Sequence, residues 1–211
     1  MNQPHAFRKP ARVTELLEIC FETFCKGGLE NTGIKRLADA CGVGNSNLIY
    51  YFQSKDNLVV EATAHCMMQV VEDLLDRFPA GPSDVGRCLT EIPHLAAERY
   101  GEKLRFMYQV YTIPQYRSSG QAFFQQVKAY CRNRVKKLAL QLRLPEDLAF
   151  GLFGIVSCAV VYYAMFEDEE FLNLQLQAIR VSLSTLGVTA LATDASATLY
   201  VSGTPVSGSC T

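Results

Sequence analysis

The segment Ile34–Gln53 reads IKRLADACGVGNSNLIYYFQ, and its pattern decides how the fold is interpreted. Gly42 tolerates the positive φ angle that a tight turn between two helices requires. Ala38 leaves space where the second helix crosses the first. The apolar side chains that we expect to lock the two short helices together from inside are Leu37, Cys41, Val43, Leu48 and Tyr51. This spacing predicts a helix-turn-helix over the segment.

The outer face of the second helix carries polar side chains, and such a helix can enter the major groove of DNA with its N-terminal residues at base edges. Asparagine can pair with adenine, serine with several bases, and an apolar side chain such as Ile49 can touch a thymine methyl group. Arg8, Lys9 and Arg12 can add a basic arm. We expect Asn45, Ser46 and Asn47 to contact bases, and the lysines, the tyrosines and Thr32 to contact phosphates. The candidate DNA-binding residues are Thr32, Lys35, Gly44, Asn45, Ser46, Asn47, Tyr50, Tyr51 and Lys55. The alternative is a helical hairpin with a solvated polar face.

The rest of the chain also has helical periodicity, and we predict an all-α fold of about nine helices. Helix 1 begins near Pro10 and ends at Gly27 and Gly28, and Thr32 and Ser54 are N-cap candidates for the second and fourth helices. Helices are expected at 84–100, with a kink or split at Pro93, at 102–113, at 121–142, at 145–166 and at 167–186. We predict a DNA-binding domain at 1–53, a ligand-binding and dimerisation domain at 54–187 and a flexible tail at 188–211.

The long first helix, Thr32, Ile34, the pairs Leu37-Ala38 and Gly42-Val43, and the closing block YFQSKDNL at Tyr51–Leu58 carry a resemblance to a known family. Residues 10–60 resemble the DNA-binding domain of the tetracycline-repressor (TetR) family of bacterial regulators. The resemblance implies a three-helix head on a larger helical body that dimerises and binds a small ligand. Gly44 and Ser46 depart from the family, which often has Ser and Gly there. Ile49 replaces a tyrosine that contacts phosphate in many members, and Tyr50 or Tyr51 can substitute.

The body is expected to supply both a partner surface and a ligand pocket. The last two helices, 145–166 and 167–186, are the candidates for pairing with a second copy of the chain, and Gly151, Gly154, Ser157 and Ala164 would allow close approach. The alternative is an internal core helix in a monomer. Aromatic and thioether side chains favour a largely apolar effector. The candidate ligand-binding residues are His65, Met107, Tyr111, Phe123, Tyr130 and Tyr162. For each of them plain core packing is the alternative.

The expected function is a cytoplasmic, homodimeric transcriptional regulator, a repressor that a small apolar ligand releases from a palindromic operator. The chain's net charge of −1 argues on its own against a nucleic-acid partner, but Lys35, Arg36 and Lys55 flank the motif. A local basic face is therefore permitted, though the composition does not demand it. No catalytic, metal-binding or cofactor motif is present, so we expect neither an enzyme nor a cofactor or metal. Redox sensing by one of the eight cysteines stays open. The alternative function is a helical membrane-associated or scaffolding protein without DNA binding, suggested by the uncharged stretch 148–166.

Overall fold

The computed structural model describes residues 11–77 and 85–185, and within these residues the chain forms nine α-helices and no strand. The predicted all-α class is therefore confirmed. The predicted tail and the basic pair Arg8 and Lys9 lie outside the described residues. The helices are α1 (Ala11–Gly27), α2 (Ile34–Cys41), α3 (Asn45–Phe52), α4 (Lys55–Asp76), α5 (Val85–Thr112), α6 (Pro114–Ser119), α7 (Gln121–Leu142), α8 (Glu146–Phe166) and α9 (Glu169–Thr185).

Helix α1 is amphipathic and forms the base of the N-terminal head. Its predicted apolar stripe is buried along its whole length. The helix is terminated by Gly28, whose φ angle of 74° suits a residue without a Cβ atom. The Gly28 amide donates to the carbonyl of Phe24 at 2.8 Å. The buried residues of this stripe are Val13, Leu16, Leu17, Cys20, Phe21 and Phe24.

Helix α4 connects the head to the body, because it packs on α1 and also on α5 and α7. The hydroxyl of Ser54 caps its first turn by accepting a hydrogen bond from the Asn57 amide at 3.1 Å, which confirms the predicted N-cap. Its inward side chains, spaced mostly four residues apart, include Leu58, Ala62 and Cys66. Any tilt of α4 therefore moves the head and body surfaces together.

Helix α5 differs from the sequence prediction, because one continuous helix replaces the two expected at 84–100 and 102–113. A proline inside a helix removes one backbone hydrogen-bond donor and costs about 3 kcal/mol. The packing of α5 against α8, α4 and α1 offsets this cost. Pro93 and Gly101 are both buried within it. The short helix α6, with Pro114 at its first turn, was not predicted.

The head and body share one hydrophobic core. The ring of Phe106 on α5 meets Phe21 edge-to-face, with centroids 5.3 Å apart, and stacks on Phe24 at 5.8 Å. Such ring pairs stabilise a contact by about 0.5–1.5 kcal/mol beyond the area that they bury. The body is completed by α7, α8 and α9, and α8 packs extensively on α5.

Candidate nucleic-acid interface

The turn between α2 and α3 has the backbone geometry that the sequence predicts. Gly42 lies in the left-handed region with φ 62° and ψ 35°, where an L side chain would be strained. The Val43 amide donates to the Ala38 carbonyl at 3.0 Å and so closes the end of α2. Ala38 itself is buried. Because the turn is held by backbone bonds at both ends, α3 has a fixed orientation on α2.

The inward face of α3 is formed by Leu48 and Phe52, which are one helical turn apart and 0% and 2% exposed. We predicted that Tyr51 would lock the helices from inside, and the structure corrects this, since Tyr51 is 46% exposed. A phenol hydroxyl needs a polar partner when buried, whereas the phenylalanine ring does not. Phe52 therefore makes the core contact, and Tyr51 is left at the surface.

The outward face of α3 carries the predicted base-reading residues. Asn45, Ser46 and Asn47 are all exposed in the first turn of the helix. The backbone amides of a first helical turn have no intrahelical acceptor and attract anions such as phosphate. Tyr50 is 82% exposed, and the centroid of its ring lies 5.6 Å from that of the Tyr51 ring. This face offers amides, a hydroxyl and two phenols to a partner outside the chain.

Two predicted phosphate contacts, Thr32 and Lys55, are placed elsewhere by the structure. Thr32 is fully buried, its Oγ1 atom has no hydrogen-bond partner among the described residues, and Gly33 rather than Thr32 is the N-cap of α2. The Lys55 ammonium group donates to the Leu29 carbonyl at 2.5 Å, because this partly buried oxygen needs a donor. Lys35 remains exposed and stays a candidate.

Arg12 has a role that the sequence did not indicate. We predicted that it would extend a basic arm, but its Nη2 atom donates to the Cys41 carbonyl at 3.2 Å while Nη1 pairs with Glu15 at 2.7 Å. A cation at the last carbonyl of a helix is favoured by the helix dipole. Arg12 therefore holds the C-terminus of α2 against α1 and positions the turn that leads to α3.

The comparisons with known proteins agree with this geometry. Residues 16–62 match the family model described as "Bacterial regulatory proteins, tetR family". The N-terminal domain belongs to the TetR family. Over 53 residues the chain is 40% identical to the HTH-type transcriptional repressor KstR2 of Rhodococcus jostii (strain RHA1), an alignment that spans 25% of this chain and 26% of that protein. The alignment therefore spans only about a quarter of this relative's length.

Solved structures resemble the chain beyond its TetR domain. The SCO7518 protein of Streptomyces coelicolor A3(2) matches with a TM-score of 0.63 at 17% identity, over 82% of this chain and 98% of that one. The regulator FadR of Bacillus subtilis, solved in complex with stearoyl-CoA, matches with a TM-score of 0.51 at 14% identity, over 85% and 99% of the two chains. At these identities the likeness establishes a shared fold.

A cavity of about 130 Å³ lies in the body of this TetR-domain protein, between α4, α5, α7 and α8. Its walls are apolar, and Ser157 is the polar side chain among them. Engineered apolar cavities of similar size stay dry and take up small aromatic molecules. Five wall residues come from α4, the helix that follows the candidate recognition helix directly. The α4 and α8 walls include Met67, Val70, Leu74, Leu152, Val156 and Val160.

None of the six predicted ligand-binding residues lines this cavity, and the structure shows where four of them pack instead. The His65 Nε2 atom lies 3.4 Å from a Glu18 carboxylate oxygen, between α4 and α1. Met107 is buried in the core, which was the alternative for each candidate. Tyr111 and Tyr162 pack on other aromatic rings: Tyr111 on Phe124 at 4.2 Å, and Tyr162 on Phe166 at 4.6 Å and Phe171 at 4.5 Å.

The two remaining candidates, Phe123 and Tyr130, are half-buried on α7. The aliphatic wall residues were missed because aromatic content was used as the signal for a pocket, whereas branched aliphatic chains on four helices enclose it. Each helix contributes a few positions of an ordinary apolar stripe. Only packing of the helices shows which of those positions leave a gap.

The last two helices have an exposed apolar surface, which we call the α8/α9 face. Gly151 and Gly154 are exposed on α8, as predicted for a contact surface, but Ala164 is buried in its own core and Ser157 faces the cavity. The exposed apolar side chains of α8 lie on one face of that helix, and those of α9 lie on one face of α9. The exposed large apolar residues of this face are Ile155, Phe166, Phe171, Leu174 and Val181.

Among the described residues, α8 is the helix whose length and mean hydropathy of 2.0 would allow it to span a membrane. A core helix of a protein without a membrane segment can have the same length and composition. Within residues 11–77 and 85–185 no group of three or more His, Cys, Asp or Glu side chains is arranged to hold a metal ion.

Proposed function

We propose that this chain is a DNA-binding transcriptional regulator that acts as a homodimer on a palindromic operator. The observation that carries the proposal is the exposed outer face of α3, whose opposite face is locked into the core by Leu48 and Phe52. A rigid helix with asparagine and serine in its exposed first turn suits reading of base edges in the major groove. In this role Lys35, Tyr50 and Tyr51 contact phosphates, while Asn45, Ser46 and Asn47 contact bases.

Dimerisation follows from what a single head can achieve. One recognition helix makes few base contacts, and helix-turn-helix proteins gain affinity by placing two heads about one turn of DNA apart on a two-fold axis. The α8/α9 face supports this step, because a partner copy would cover its exposed large apolar side chains. Two copies of α8 and α9 then form a four-helix bundle, with Gly151 and Gly154 allowing the helices to approach closely.

The ligand in this proposal is a small, mostly apolar molecule that enters the cavity between α4, α5, α7 and α8. FadR, which shares the fold, was solved with stearoyl-CoA, and this supports an acyl chain as one class of occupant. The cavity presents no charged side chain, so a buried charge on the ligand would be unpaired and costly. The ligand favours a different tilt of α4 and so a different head spacing, and it acts only through its differential affinity for the two states. Binding then releases a repressor from its operator in the cytoplasm.

The alternative, a membrane-associated or scaffolding protein without DNA binding, rests on α8 alone. Purification without detergent as a dimer that binds a specific duplex would exclude it. Association of the purified chain with lipid vesicles in place of DNA would favour it instead.

The decisive experiment is a footprint or gel shift on DNA that flanks the protein's own gene, followed by selection from random duplexes. Asn45→Ala or Asn47→Ala is expected to relax sequence preference at one position, at a cost of about 1–3 kcal/mol for the preferred base. Lys35→Ala is expected to weaken binding to all duplexes equally and to lower the salt dependence. Lys128→Ala, an exposed lysine on α7 far along the chain from α3, is the matched control. Failure to select any duplex, or equal loss on all sequences for both asparagine variants, contradicts the recognition role of α3.

A further inference from the structure

Two cysteines meet inside the N-terminal head. Cys20 lies in the middle of α1 and Cys41 is the last residue of α2, and their sulphur atoms are 3.4 Å apart. Both side chains are buried, Cys20 completely and Cys41 to all but 5%. Six cysteines have described side chains, and these two form the hydrogen-bonded pair among them. A disulfide requires the sulphur atoms at about 2.05 Å, so they need to approach by a little over 1 Å.

The surroundings of the pair make one sulphur the better nucleophile. The hydrogen bond with Cys20 lowers the pKa of Cys41 by more than burial raises it, and the nearby guanidinium of Arg12 also lowers it. The pKa of Cys20 is raised by the same hydrogen bond and by burial. By contrast, burial raises the pKa of Cys25, on the same helix as Cys20, to about 12. The thiolate is the form that reacts with oxidants, so Cys41 is the thiol of the pair that attacks the oxidant first.

We propose that Cys20 and Cys41 form a dithiol that a peroxide converts into a reversible disulfide, which joins α1 to the end of α2. The Cys41 thiolate attacks one oxygen of hydrogen peroxide, the O–O bond breaks, and a sulfenic acid and hydroxide form. This hydroxide takes up the proton that the Cys41 thiol released and becomes water. The Cys20 sulphur then attacks the Cys41 sulphur, and the S–O bond breaks. The departing hydroxide takes the Cys20 proton as water. In total two thiols and one peroxide give one disulfide and two waters, and a small dithiol reduces the bond again by exchange.

The consequence for DNA rests on the proposed function of α3. Cys41 immediately precedes the turn that begins at Gly42, and Arg12 holds its carbonyl in the reduced state. Drawing the Cys41 sulphur towards α1 shifts this end of α2 and with it the exposed first turn of α3. Recognition geometries tolerate errors of only about 0.5 Å. Oxidation is therefore expected to lower affinity for the selected duplex about fivefold or more, comparable to the loss of one base contact.

The experiment exposes the full-length reduced protein to hydrogen peroxide, blocks remaining thiols, and maps disulfide-linked peptides by mass spectrometry. The expected result is a peptide pair containing Cys20 and Cys41, formed before other thiols are modified and lost after dithiothreitol. Cys25→Ser is the matched control, since Cys25 is a half-buried thiol on the same helix with no role in the pair. Cys41→Ala should abolish the linked peptide, and the wild-type measurement decides the proposal even if that variant folds poorly.

Affinity for the selected duplex is measured in the reduced, oxidised and re-reduced states. A Cys20–Cys41 bond with a reversible loss of affinity in wild type and Cys25→Ser supports the proposal. Absence of the linked peptide, or its formation only after other cysteines are oxidised, overturns it. If the Cys20–Cys41 bond forms and the affinity for the duplex is unchanged, the proposed effect of the disulfide on α3 is wrong. If neither state binds any duplex, the proposed function fails while the disulfide assignment still stands or falls by the peptide map.

Discussion

The adjacent aromatic residues Tyr51 and Phe52 provide a direct stability test of how α3 is seated. Phe52 is 2% exposed and belongs to the shared core, whereas Tyr51 is 46% exposed. Removing a buried phenylalanine ring and leaving a cavity costs about 3–5 kcal/mol. Tyr51 loses at most its edge contacts with the neighbouring rings, about 1 kcal/mol. We therefore expect Phe52→Ala to be several times more destabilising than Tyr51→Ala.

The measurements are urea unfolding and thermal unfolding, both followed by far-UV circular dichroism because the chain contains no tryptophan for fluorescence. Protein concentration is kept equal for all variants, since the proposed dimerisation would contribute to apparent stability. For a chain of this size, each kcal/mol of lost stability lowers Tm by about 2–4 °C, so Phe52→Ala should lower Tm by roughly 6–20 °C. Tyr51→Ala should instead weaken DNA binding while the chain stays folded. A larger loss of stability for Tyr51→Ala than for Phe52→Ala would refute the inward assignment of Phe52.

Three further predictions follow from other contacts. Gly42→Ala should cost about 1–2 kcal/mol in urea unfolding, because its φ of 62° strains an L residue, and an unchanged midpoint would contradict the left-handed turn. Benzene-saturated buffer should raise the Tm of the wild type and of Leu140→Phe, a control substitution at an exposed site. It should not raise the Tm of Val156→Phe, whose ring fills the cavity. Equal shifts in all three proteins would argue against an accessible cavity. The Asp73 carboxylate accepts hydrogen bonds from Arg77 and Tyr100, which lower its pKa below 3.8. The stability that this carboxylate contributes is present above pH 3.8 and is lost as the pH falls through the lower pKa of the folded state. Asp73→Asn should therefore flatten the loss of stability on the acid side, measured as pH-dependent unfolding.

The coupling between ligand and DNA in the proposed mechanism has two physical routes in this structure. The first is α4, which begins just after α3 and supplies one wall of the cavity. The second is α5, which lines the cavity at Ile92 and Leu104 and packs on two rings of α1 through Phe106. Both routes pass through close-packed side chains, and such packing switches between discrete arrangements more readily than it deforms continuously.

Several features could be predicted from sequence because they depend on neighbouring residues. The turn at Gly42, the cap at Ser54 and the buried stripe of α1 each need only a local residue type or a helical period. The same local reasoning failed at α5, where a proline and a glycine that weaken an isolated helix are held in place by tertiary packing.

The helix-turn-helix at Ile34–Gln53, with its exposed Asn45 and Asn47, was determined by the sequence alone, because turn geometry and amphipathic spacing are local properties. The tertiary structure decided which aromatic ring of α3 is buried, and that Lys55 and Arg12 bind backbone carbonyls. It also decided where the cavity lies and that Cys20 meets Cys41 across 21 residues of chain. These features depend on the distances between helices, which arise from the packing of side chains far apart in sequence and leave no periodic signal in any one segment.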